Sequence, residues 1–479
     1  MTRLRWLPVA LCCLLCVCAQ GRVVIPVSSP DQVGAAVCPE TIAPIEAPFE
    51  MPQLQRPVFA DRREDISRRG ARQNRKCTAV IQRCIDRLSA QGGGRVVIPA
   101  GEWLTGRIIL KDGVCLHLEE GAVLRFSGEI EDYLPAVLTR NEGIEMYSTG
   151  ACIYARGARN IGITGKGTLI YPDVDTPLYK QMMSGVVVEQ FVDMDSPVES
   201  RVYDSVHNHD GLERGARLEN PLFHPEFFGP VECSNVLVEG VTFRDSFYWN
   251  VVPTYCDSVI IRGISVYSTR GRTDGIDIDS SQNVLIEYVT LSCGDDCFTL
   301  KSGRCEDGIR VNRPTANVVI RHCLALRGPG GLTCGSETAG FIRNVYCYDC
   351  VLANVSNGFY FKTRRNRGGG VENIWLEKIH MTGLKNAFGW DMLGSRTYVG
   401  NLADRHPELE ITPLTPRFSN IWIKDVQVDS CQRLFSIKGI PETPLEGLHV
   451  NGMDASCVSV GSLQDVGLMT LENCQINTL

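Results

Sequence analysis

Asn235-Val236-Leu237-Val238-Glu239-Gly240-Val241-Thr242-Phe243 decides the fold, because the chain repeats it. The phrase is an Asn followed by apolar residues at every second position. It returns in part at Asn160 and again at Ser258, Asn283, Asn317, Asn344, Asn373 and Asn420. Alternation at period two marks strands. An Asn at a fixed corner suits the left-handed backbone of a turn, and Asn side chains stacked along an axis can hydrogen-bond to one another. The spacing varies, from 23 residues between Asn235 and Ser258 to 47 between Asn373 and Asn420. Unequal intervals mean loops of different length leaving one face of a repeat architecture. The expectation is an all-β chain, a parallel β-helix (solenoid). A β-sandwich with coincidental spacing is the alternative, and so many returns of one phrase disfavour it.

Around this core the chain divides into three parts. Residues 1–19 read as a signal peptide: Arg3 and Arg5, the apolar run Trp6 to Val17, and a cleavage site at Val17-Cys18-Ala19. The expected location is secreted or periplasmic. A lipid anchor through Cys18 is a weak match, because Val17 is larger than such sites accept. The apolar run is too short for a membrane span, and no other span is expected. Residues 20–60, with seven prolines between Pro26 and Pro57, read as an extended leader without its own core. Residues 61–479 read as one β-helix domain. At its start Val80, Ile81, Cys84, Ile85 and Leu88 fall at helical spacing between Cys77 and Ala90. That N-terminal helix is placed to cap the first coil, ahead of a strand Arg95 to Pro99, and to cover an otherwise exposed sheet edge.

The 479 residues carry a formal net charge of −7, which argues against a nucleic-acid partner held by a basic face. Of 21 cysteines, four lie in the signal. The rest sit mostly at apolar strand positions and are expected as buried thiols. Cys347-Tyr348-Asp349-Cys350 has no His at zinc spacing, so neither a metal site nor a cofactor is expected. Residues 172–225 and 392–418 do not fit the repeat and read as functional loops or lids. Nothing in the sequence suggests an oligomer, and a monomer is expected.

The chemistry lies in two phrases, Arg272-Thr273-Asp274-Gly275 and Gly294-Asp295-Asp296-Cys297. Asp296 follows Asp274 by 22 residues, about one coil. Pointing Ile276, Ile278, Phe298 and Leu300 inward aligns Asp274 with Asp296 on neighbouring coils. It also turns Asp277, Asp279, Thr299 and Lys301 outward. Coils lie ~4.8 Å apart, so three carboxylates share one exposed patch and some pKa values must rise. A raised acid beside an ionised base is equipment for cleaving a glycosidic bond. Further along, Gly358 to Thr363 brings Lys362 out on the same face. Arg364, Arg365 and Arg367 follow, with Arg270, Arg272 and Arg304 near. Arg forks suit the carboxylates of an acidic sugar polymer. The blander alternative, solvated turn aspartates and a mobile charged loop, does not explain two acidic corners in register.

With these motifs the sequence resembles glycoside hydrolase family 28, the pectin-cleaving polygalacturonases and rhamnogalacturonan hydrolases, from about residue 60 to near the C-terminus. The resemblance implies a right-handed parallel β-helix and hydrolysis with inversion. The family's Asn-Thr-Asp is matched by Arg272-Thr273-Asp274, and its Gly-Asp-Asp-Cys by Gly294 to Cys297. This implies Asp295 as general acid, with Asp274 and Asp296 activating a water at the ~6.5–9.5 Å separation usual in inverting enzymes. The family's Gly-His-Gly becomes Gly328-Pro329-Gly330, and its Arg-Ile-Lys becomes Tyr360-Phe361-Lys362. Lys362, Arg272, Lys301, Tyr360 and Arg364 are the expected substrate-binding residues. The expected substrate is an acidic plant polysaccharide or oligosaccharide, cleaved in the exo mode from rhamnogalacturonan or galacturonan oligosaccharides, with 172–225 closing one end of the groove. Two alternatives stand beside it. One is a pectate-lyase-like Ca²⁺-dependent β-eliminase with Arg272 as base. The other is a non-catalytic β-helical glycan-binding protein.

Overall fold

The Asn phrase folds as its pattern requires. A computed structural model describes residues 38–184 and 223–479; the signal segment and most of the 172–225 segment lie outside the described residues. Asn160, Asn235, Ser258, Asn283, Asn317, Asn344, Asn373 and Asn420 all adopt positive φ, between 53° and 60°. Their side chains form the expected ladder. Asn235 donates to Asn160 at 3.0 Å, Asn317 to Asn283 at 3.1 Å, Asn344 to Asn317 at 3.0 Å and Asn420 to Asn373 at 3.1 Å. The ladder breaks only at Ser258, where Ser258 and Asn283 donate to Asp257 instead.

From each corner the strands pair in parallel with the coil before and the coil after, as a right-handed parallel β-helix. Three faces result. The first carries one continuous column, Ile161, Val236, Val259, Val284, Val318, Val345, Ile374, Ile421 and Leu448, each in register with the next. Every member is buried, and burying each such side chain contributes about 1.5–3 kcal/mol. The second face includes Thr242–Arg244, Ser265–Ser268 and Thr290–Cys293. The third includes Ile276–Asp279, Phe298–Lys301, Val355–Lys362 and Leu384–Asp391. Inside it Phe359, Phe388 and Phe435 stack at 5.8 and 5.5 Å.

The helix Thr78–Ala90 buries Ile81, Cys84, Ile85 and Leu88 against the first coils. Residues 38–60 have no regular structure and lie along the outside of the first face. Ile45, Leu54 and Phe59 are buried there with Leu237, Ile260, Leu285 and Val319. All 17 cysteines among the described residues are free thiols, most of them buried.

What positions the site is the corner between the second and third faces. Early coils carry long insertions there, including an antiparallel hairpin of Val137–Asn141 with Ile144–Ser148. Later coils turn the same corner in a few residues, and those residues are the acidic phrases.

Candidate active site

Ile276, Ile278, Phe298 and Leu300 point into the core, with Ile276 opposite Phe298 and Ile278 opposite Leu300. The two acidic corners are thereby held one coil apart, and the Gly275 amide donates to the Asp296 carbonyl at 2.9 Å. Thr273 ties them together: its hydroxyl accepts the Gly294 amide at 2.9 Å and donates to the Ser268 carbonyl at 2.7 Å. Glycine is required at two points. A Cβ on Gly294 would fall 1.7 Å from the Arg270 carbonyl, and one on Gly330 would fall 2.7 Å from Asp296 Oδ1.

One oxygen from each of Asp274, Asp295 and Asp296 lies within 4.8 Å of the others. The carboxylates stand one coil apart, so the sheet spacing fixes a short distance. The set is compact enough to hold a cation, but two ammonium groups already oppose it. Lys362 donates to Asp296 Oδ2 at 2.8 Å, and Lys301 stands 3.8 Å from Asp274. Asp295 accepts amides from Arg272 at 3.2 Å and Asp296 at 3.0 Å. Burial, then Asp296, raises its pKa, while Lys362 opposes. Asp274 is raised well above the carboxylate range, first by burial and then by Asp277 and Asp295. Beneath them burial pushes Asp277 to about 8 against the pull of Lys301.

The patch is not exposed as the sequence suggested. Asp274 and Asp296 are buried, and so are the outward residues Asp277, Asp279, Thr299 and Lys301. The insertions cover them. Arg140 of the hairpin bonds Asp279 at 3.0 Å and Ser280 at 2.6 Å. The Trp249 ring lies 4.5 Å from Lys301 Nζ. Glu337, from the loop after the third-face strand, accepts from Lys301 at 3.2 Å. The result is a cavity of about 570 Å³, within the range of small-ligand sites.

All eight expected site residues line this cavity: Asp274, Asp295, Asp296, Arg272, Lys301, Tyr360, Lys362 and Arg364. Arg367 joins them. Arg365 does not; it turns away to Glu442 at 2.6 Å and to the Pro407 carbonyl at 3.1 Å. Arg270 is not in the lining, and Arg304 is buried near Glu142 and Glu337. Sequence reading missed Glu142, Trp249, Glu337, Asp391 and Lys438. Asp391 and Lys438 were legible, since they stand in register with Lys362 along the third face. Glu142 had only the Asn141-Glu142-Gly143 turn to announce it. It sits at the hairpin tip with φ 44°, followed by Gly143 at 86°. Burial raises its carboxyl, with Arg304 opposing.

Both the sequence and the fold are similar to those of known proteins. A sequence model described as "Glycosyl hydrolases family 28" matches residues 215–392. A probable polygalacturonase of Vitis vinifera is 27% identical over 388 residues, 78% of this chain and 70% of that protein. The exo-poly-alpha-D-galacturonosidase of Dickeya chrysanthemi is 23% identical over 372 residues, 73% of this chain and 59% of that one. Among solved structures, the hyperthermoactive exopolygalacturonase from Thermotoga maritima superimposes with a TM-score of 0.75 at 28% identity. The match covers 88% of this chain and 94% of that one.

Proposed function

Because the chain belongs to family 28 of the glycosyl hydrolases, we propose that it hydrolyses pectin with inversion and in the exo mode. Its substrates on this reading are galacturonan-type oligosaccharides, cut one terminal sugar at a time. The observation that carries the reading is the trio Asp274, Asp295 and Asp296, gathered within 4.8 Å and opposed by Lys362 and Lys301.

Asp295 is the general acid. Its raised pKa keeps a proton available for the glycosidic oxygen, and activity falls as pH rises through that pKa. Asp296, paired with Lys362, is the base. It takes a proton from water as the oxygen adds to the anomeric carbon and the C–O bond to the leaving sugar breaks. Asp274, raised by burial and by Asp277 and Asp295, shares a proton with its neighbours and orients that water. Lys362 retains two donors for the substrate beyond the one bound to Asp296. Inversion, and not retention, rests here on the family. Proton NMR of the first-formed anomer decides between them.

The exo mode is supported by the Glu142 hairpin, which reaches over from an earlier coil and forms part of the cavity wall. The export reading for residues 1–19 fits such a substrate. No helix among the described residues is long and apolar enough to cross a membrane. One observation favours a second substrate, a rhamnogalacturonan oligosaccharide: Pro329 and Tyr360 stand where the family carries His and Arg.

A single assay tests these readings. The protein is incubated with galacturonan, with both rhamnogalacturonan types and with their oligosaccharides, and the released sugar is identified. Monosaccharide with slow loss of viscosity is expected. An early ladder of mid-sized oligosaccharides refutes the exo mode. A Ca²⁺-dependent unsaturated product would instead indicate elimination, and binding without cleavage would leave a glycan-binding protein.

A further inference from the structure

Arg367 is 2% exposed, yet it lines the cavity, and its Nη1 has no hydrogen-bond partner among the described residues. Its nearest carboxylate is Glu337, at 3.9 Å from Nη2, beyond hydrogen-bond reach. Glu337 is already engaged by Lys301 at 3.2 Å. A buried guanidinium donor left in this state is costly unless something else accepts from it.

The surroundings add positive charge without matching it. Arg364 lines the same wall and Arg304 is buried nearby. Burial, then the like charge of Arg367, pulls Arg364 down to about 9. The second acid there, Glu142, is raised by its own burial and so tends to the neutral form. The loop that carries the two arginines is held in place rather than swinging. The Arg367 amide donates to the Arg364 carbonyl at 2.9 Å, the Arg367 carbonyl accepts the Cys305 amide at 2.9 Å, and Thr338 donates to the Gly368 carbonyl at 2.9 Å. Glu337 and Lys301 link this wall to Asp274, so three ion contacts join Arg367 to the acids.

We propose that Arg367, with Arg364 beside it, binds the carboxylate of the substrate's terminal uronate ring and so selects an acidic sugar end. The assignment rests on the hydrolase reading above. It places acid recognition on the loop after Lys362 instead of at the strand position that here holds Tyr360. A planar guanidinium pair matches a carboxylate better than an ammonium does.

The test is a selectivity ratio. Trigalacturonate and its fully methyl-esterified form are compared as substrates of the wild type, Arg367→Gln, Arg367→Lys and Arg364→Gln. The wild type should prefer the free acid, and Arg367→Gln should lower the ratio of kcat/KM for acid over ester by roughly ten-fold or more. Arg367→Lys should recover part of it. An unchanged ratio in a folded Arg367→Gln overturns the proposal. Calorimetric titration of the wild type with free galacturonate, galactose and sulfate keeps the question open to refutation if that variant fails to fold. Galacturonate should bind and galactose should not; sulfate binding as well as galacturonate would make this a general anion site and overturn the assignment. The titration also separates the two readings. A wild type that binds galacturonate but cleaves nothing refutes the hydrolase reading alone.

Discussion

Two columns of buried charge run along this solenoid, one under the leader and one in the cavity, and they are finished differently. Under the leader Glu239, Arg262, Glu287 and Arg321 alternate in sign along the first face. Arg262 donates to Glu287 and Glu239, each at 2.7 Å, and to the Pro39 carbonyl at 2.6 Å. Arg321 donates to Glu287 at 2.9 Å, to Tyr348 at 3.1 Å and to the Ala43 and Pro44 carbonyls at 2.9 Å. The leader's backbone thus completes the donor count. In the cavity wall, by contrast, Oδ1 of Asp296 and Nη1 of Arg367 lack hydrogen-bond partners among the described residues. Buried polar groups are normally satisfied, and exceptions ask for a reason. The closed column holds the leader to the helix. On the proposed function, the open one keeps its donors and acceptors for a substrate.

The sharpest way to test that division is to remove one group from each column. Asp295→Asn should lower kcat by ~10²–10⁴-fold, the contribution of general acid catalysis, while the melting curve stays close to wild type. Retention of more than about a tenth of kcat removes Asp295 from that role. Arg262→Ala should do the reverse. It removes one of the two guanidinium partners of buried Glu287 and leaves Arg321, and a charge-assisted bond of this kind contributes about 1.5–3 kcal/mol of stability. Turnover by the protein that remains folded should not change. A loss of turnover without a loss of stability would mean that the leader column serves the site.

A smaller effect is expected where the contact is only partly buried. Lys362→Ala should raise KM roughly ten-fold on an acidic substrate, because a charge-assisted bond contributes ~1.5–3 kcal/mol. It should also lower kcat, since Asp296 loses the ammonium that bonds it at 2.8 Å. A KM effect without any change in kcat would show that Lys362 serves only the substrate.

The sequence was most legible where the chain repeats. The Asn phrase specified corners, strands and inward residues, because one side chain at positive φ and a period of two leave few alternatives. The acids were legible for the same reason: Asp274 and Asp296 are placed by the register of Ile276 with Phe298. Their environment was not. Burial of Asp277 and Lys301, and the entry of Glu142 and Glu337 into the cavity, depend on insertions that fold back from other coils. No periodicity records where such an insertion lands. Arg365 shows the limit within three residues, since it shares a loop with Arg364 and Arg367 and points to Glu442 instead.

The smallest expected effect concerns the carboxyl beneath the three acids. Asp277 faces Asp274 and Lys301, with Asp295, Asp296 and Glu226 also near enough to affect titration. Burial raises it to about 8, whereas in an unfolded chain an Asp titrates near ~3.9. The folded protein therefore holds a proton that the unfolded chain releases. Stability from this group is fully present below the unfolded value and is lost as pH rises toward about 8. Asp277→Asn keeps the shape and the neutral charge of the protonated acid and abolishes the titration. Its melting temperature should match wild type near pH 4 and exceed it by about 2 °C or more near pH 8, on the usual scaling of stability with melting temperature. A difference that stays constant across that range would mean that Asp277 is ionised in the folded protein, paired with Lys301 at 3.7 Å. The cavity column would then be closed at that point, as the leader column is.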